Sequence, residues 1–134
     1  MDALIVVAAL ADTAAVLVHG VVGGRWAKQQ LAAVGLPTTA LFGDADVARR
    51  VFGVTWHAVT GTFATCAGAL YLMAADAIAH EPAVLRLICV LHVVVLVVGL
   101  SFFFRRLDAL KGVIPPIFVT CMSAVAVTTW LASR

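Results

Sequence analysis

ALIVVAALADTAAVLVHGVVGG, residues 3–24, decides the architecture. It holds one acidic residue, Asp12, and no basic one. A helix rising about 1.5 Å per residue needs about 20 such residues to cross the roughly 30 Å hydrocarbon core of a bilayer. Three more apolar runs of that length follow, about 51–75, 83–104 and 113–132. Backbone amides in hydrocarbon must be satisfied within their own segment, and the alternating strands of a barrel are missing, so each run is read as a helix. The expectation is an all-α integral membrane protein, a single domain over residues 1–134. Its four transmembrane helices would form an up-down-up-down bundle.

Composition points the same way. Of 134 residues, 63% are hydrophobic and 12% charged, against about a quarter charged in soluble domains. In water such a chain would present large apolar patches, which monomers avoid. The expected partner is therefore the lipid bilayer. The net charge of +2 is small, and no basic stripe carries interleaved aromatics, so nucleic acid is not an expected partner. Cys66, Cys89 and Cys121 lie inside apolar runs, at spacings that fit neither a disulfide framework nor a zinc site. They read as small core hydrophobes. Asp2 stands where a secretion signal would be basic, and Asp12 interrupts its apolar stretch, so the first helix is expected to be retained.

The loops orient the helices. Arg25, Lys28, Arg49 and Arg50 fall in the first connection, about 25–50, and Arg105, Arg106 and Lys111 in the third. The second holds Asp76, His80 and Glu81, with no basic residue before Arg86. The positive-inside rule places the first and third loops in the cytoplasm and both termini outside. Within the first loop, residues 27–34 are expected to form a short interfacial helix. An excess of arginine over lysine, with abundant alanine and valine, suggests a GC-rich bacterial genome, hence a multi-pass protein of a bacterial cytoplasmic (inner) membrane.

Function should reside in the polar groups inside the spans. An aspartate at a helix centre costs about 2.5–3.5 kcal/mol unless it is neutral or paired. His19 follows Asp12 after about 700° of rotation, on the same face and roughly 10 Å away. Ala8, Ala9, Ala15, Val16 and Gly23 complete that narrow face. On the second helix His57 heads a stripe of Thr60, Gly61, Ala64, Thr65 and Gly68, which reads as a close-packing seam. Phe63, Leu70 and Met73 would then turn toward lipid or other helices. His92 lies near the centre of the third helix. Depth gives two layers, His19 with His57 near the cytoplasm and Asp12 with His92 at the midplane. Each residue also has a plainer reading: Asp12 as a register lock, the imidazoles as groups satisfied by carbonyls or threonines. His80 reads as a solvated loop residue, and Trp26, Trp56 and Trp130 as interfacial anchors.

The stretch from His19 through Gly23, Gly24 and Arg25, followed by Thr55, Trp56 and His57, resembles the pattern of a group of small bacterial four-helix membrane proteins. In that group a histidine and a Gly-Gly-Arg end the first helix, and a Trp-His opens the second. The resemblance implies the same topology and draws attention to His19 and His57. It supplies no reaction.

Three functions compete. The first is proton or transition-metal handling by Asp12, His19, His57 and His92. The second is a haem-binding electron-transfer or membrane-anchor subunit, with His19 and His57 as axial ligands of a haem b. No Cys-x-x-Cys-His exists for covalent attachment. The third is an accessory or assembly protein of a larger membrane complex, or a homo-oligomer. An enzyme is the least favoured reading, and no catalytic residue is assigned. The sequence lacks G-x-S-x-G, H-E-x-x-H and a phosphate-binding loop, and Glu81 is its only glutamate.

Overall fold

The structure, a computed structural model, describes residues 2–34, 45–104 and 114–134, and no strand occurs among them. α1 (Ala3–Leu17) starts at Asp2, whose carboxylate accepts the Leu4 N–H at 2.9 Å and satisfies one free amide of the first turn. The helix does not end at the glycine pair. It widens into a π-helical turn over Val18–Gly23 and tightens again as α2 (Gly24–Val34). One continuous rod thus replaces the expected span and separate interfacial helix. Glycine weakens a helix by only about 1 kcal/mol, which favourable flanks can carry.

α3 (Ala45–Ala74) also starts ahead of its expected boundary near residue 51. Much of the connection expected over 25–50 is therefore helical. α4 (Pro82–Phe104) and α5 (Ile114–Ala132) complete the fold. The basic cluster of Arg105, Arg106 and Lys111 lies outside the described residues. The stretches Ala3–Gln29 and Pro82–Ser101 are long and apolar enough to cross a membrane, and Pro116–Ala132 is a shorter apolar helix.

α1 packs against α3 and α5, and α4 packs against α5. Thr13 meets Tyr71 and His19 meets Thr60, so α1 and α3 are antiparallel. Arg86 meets Ser133 while Gly99 meets Phe118, so α4 and α5 are antiparallel too. The backbones of α3 and α4 approach each other less closely, although only a short turn joins them. The side chains explain this. Ala8, Ala9 and Ala15 let neighbours come close to α1, whereas α3 sends the larger Phe63, Leu70 and Met73 inward.

Apart from Thr60, which meets α1 at His19 and Gly20, the inward face of α3 reverses the sequence expectation. Phe63, Cys66, Leu70 and Met73 are buried, while His57, Gly61, Ala64, Thr65 and Gly68 face outward. A small-residue stripe is only one way to pack a helix, and here burial of large apolar area prevails. On α1 the expected face is the buried one: Ala8, Ala9, Asp12 and Ala15 all point inward.

The core has two apolar layers. One joins Ile5, Leu70, Met73, Leu85, Ile88 and Val125. The other joins Ala15, Phe63 and Met122. Asp12 falls between them in sequence, and it is fully buried. At the end of α3, Asp76 has a positive φ of 54° and turns the chain toward α4. His80 is an exposed loop residue, as expected, and it also donates from Nε2 to the Met73 carbonyl at 2.6 Å, so capping α3.

Candidate functional site

Asp12 and His92 lie about 14 and 15 Å along their helices, so parallel helices starting at the same end of the bundle bring them level. His92 Nε2 stands 3.1 Å from Asp12 Oδ1, and both side chains are 0% exposed. The other ring nitrogen, Nδ1, lies 2.8 Å from the Ile88 carbonyl. A carbonyl can only accept, so Nδ1 carries a proton. That leaves a single proton for the contact between Nε2 and Oδ1. It sits on the carboxyl and is donated to nitrogen, or on the ring and is donated to carboxylate. Both forms have zero net charge, which is the state a low-dielectric interior tolerates. Asp12 Oδ2 is buried and has no hydrogen-bond partner among the described residues.

A second histidine is positioned by the π-helical turn. His19 Nδ1 is 2.9 Å from Thr60 Oγ1, and Thr60 itself donates to the Trp56 carbonyl at 3.1 Å. With the hydroxyl proton committed there, Thr60 accepts from His19 Nδ1–H. The lone pair of the imidazole is then on Nε2. The Trp56 ring stacks on His19 with centroids 4.2 Å apart, and its indole N–H donates to the His19 carbonyl at 3.1 Å. Phe63 closes the gap between the two histidines. Its ring centroid is 5.9 Å from that of His19 and 5.5 Å from that of His92. Trp56, His19, Phe63 and His92 thus form a ladder of rings leading to Asp12.

Helical geometry explains why Thr60 rather than His57 meets His19. Trp56, Thr60 and Phe63 follow the i, i+4, i+7 spacing of one face. His57 is turned about 100° from Trp56 and is exposed. No hydrogen bond or ring contact joins His19 to His57. Instead His57 lines a groove of about 430 Å³ with Trp56, Phe52 and the cations Arg25, Lys28 and Arg49. The candidate residues therefore divide among three places: Asp12 with His92 in the core, His19 beside Thr60, and His57 at the groove. Among the described residues no group of three or more His, Cys, Asp or Glu side chains is placed to hold a metal ion.

Sequence reading missed Trp56 and Thr60 as partners of His19, and Phe63 as the contact between layers. The spacing of Gly20 and Gly23 was their available signal. A Cβ on Gly20 would fall 2.9 Å from Thr60 Cγ2, and one on Gly23 would fall 2.8 Å from Trp56 Cζ2. Trp56 cannot swing away without losing both its stack and its hydrogen bond. Gly23→Ala is expected to destabilise the fold by about 1–3 kcal/mol, measured by denaturant titration in detergent. It should also alter Trp56 fluorescence. A variant as stable as the parent would show that the indole is not held in this way. Comparison of the chain with protein-family models, curated proteins and solved structures finds no match.

Proposed function

We propose that this chain is a four-span protein of a bacterial cytoplasmic membrane, with both termini outside, and that it handles protons through Asp12 and His92. Apolar side chains facing outward support the membrane reading: Val54 is 71% exposed, Leu87 69% and Val97 60%. In hydrocarbon these are ordinary lipid contacts, whereas in water they would be large unmet apolar area.

The observation carrying the proton reading is the one-proton hydrogen bond between two fully buried titratable groups. Such a pair can pass its proton between oxygen and nitrogen without ever burying net charge. His19 is the adjoining base, with its Nε2 lone pair, and Phe63 separates it from the pair. Of the two ions considered from sequence, the donor set favours the proton over a metal, since Asp12 and His92 provide only two of the ligands a metal site needs.

Asp12→Asn tests the proposal. Its amide can donate to His92 Nε2 and keep the geometry, but it has no carboxyl proton to exchange. Liposomes holding the parent protein are expected to dissipate an imposed pH gradient at least about tenfold faster than liposomes holding Asp12→Asn. Equal rates, or a parent no faster than empty liposomes, would overturn the proposal. A rival reading, in which the pair only locks helix register, draws on the same complete burial and predicts equal rates.

A further inference from the structure

The rod from α1 through α2, together with the early start of α3, carries two helices past the expected limit of the hydrocarbon. The groove of about 430 Å³ lies where they face each other. From Gly20 to Lys28 the helix climbs about 12 Å. That is enough to pass from the acyl region into the headgroup layer, which occupies roughly 5–8 Å on each side of a bilayer. Lining residues change along this climb. Gly20 meets Thr60 and Gly23 meets Trp56. The deep part is therefore Gly20, Val21, Trp56 and His57, and Phe52 and Gly53 lie level with the rim cations Arg25, Lys28 and Arg49.

Charge at the rim is unbalanced. Arg49 is paired with Asp46 at 2.7 Å, but no ion pair engages Arg25 or Lys28 among the described residues. His57 adds a further nitrogen donor to the lining. A mostly apolar floor below cations that have no ion-pair partner among the described residues matches an amphiphile with an anionic phosphate head. A free phosphate would have no use for the floor, and a zwitterionic lipid would bring its own cation against Arg25 and Lys28.

We propose that this groove is a binding site for an anionic phospholipid of the cytoplasmic leaflet. The phosphate lies between Arg25 and Lys28, and an acyl chain runs along Phe52 and Trp56. Basic pockets between helices at the cytoplasmic face are suited to such headgroups. This inference rests on the membrane reading above and is independent of the proton reading.

The test is native mass spectrometry of the protein in mild detergent, titrated with phosphatidylglycerol, phosphatidylcholine or inorganic phosphate. The parent is expected to retain phosphatidylglycerol at least tenfold more strongly than phosphatidylcholine. Arg25→Gln/Lys28→Gln should weaken phosphatidylglycerol binding about twentyfold, with no change in helical content, since both side chains are exposed. Equal retention of the two lipids, or a double variant that binds like the parent, would overturn the lipid site and leave the membrane reading standing. Full displacement of the lipid by millimolar inorganic phosphate would reassign the groove to a soluble anion. A chain that stays in aqueous buffer without detergent would overturn the membrane reading, and the lipid site with it.

Discussion

His92→Ala is expected to lower stability by about 3 kcal/mol, read as the shift in a denaturant titration of the detergent-solubilised protein. Among the described residues the imidazole is the only hydrogen-bond partner of the Asp12 side chain, and its second oxygen has none. Removing it strands a fully buried carboxyl between two apolar layers. The size of the effect comes from that stranded group and not from the bond alone. Asp12→Leu/His92→Leu removes both partners together and should recover most of the loss, because a packed apolar pair has nothing left to solvate. A loss below about 1 kcal/mol for His92→Ala would mean that the carboxyl finds water or another donor, and that the pair is not sealed.

Phe63→Ala should have the second large effect, and it should appear in two assays. Phe63 is 1% exposed and sits in the apolar layer with Ala15 and Met122. Truncating it is expected to cost about 3–5 kcal/mol through lost burial and the cavity left behind. That cavity would lie between His19 and His92, whose rings Phe63 now touches on either side. Water entering it could bridge His19 Nε2 toward the pair, so proton movement in liposomes should rise several-fold over the parent. Phe63→Leu fills most of the same space, should cost less than about 1.5 kcal/mol, and should stay near the parental rate. It keeps the test informative if the alanine variant does not fold. Were proton movement unchanged in a folded Phe63→Ala, the ring would not be the barrier between the two histidines.

Some of this arrangement was legible in the sequence. Pairing of Asp12 with His92 follows from depth alone, because a helix advances by a nearly constant rise and both residues lie midway along apolar runs. The buried face of α1 was legible because its alanines leave little choice about which side admits neighbours. The face of α3 was not. Its small residues and its large apolar residues occupy different sides, and each side offers a valid way to pack. The choice depends on how much bulk the neighbours can accommodate, a property of the whole bundle. The position of His57 was lost for the same reason, since a rotation of about 100° separates it from the face of Trp56. The passage of the first helix through Gly23 and Gly24 was equally hidden. Glycine often ends a helix, and nothing local announces the π-helical turn that allows Trp56 to bond the His19 carbonyl.

The proposed function rests on one contact, a hydrogen bond with a single proton between Asp12 and His92. Solid-state NMR of the protein in lipid bilayers, with isotope-labelled histidine and aspartate, measures it directly. His92 can be assigned by the loss of its signal in His92→Gln. The expected result is a protonated His92 Nδ1, with Nε2 in close dipolar contact with the Asp12 carboxyl carbon. A bare Nδ1, or a His92 ring remote from Asp12, would contradict it.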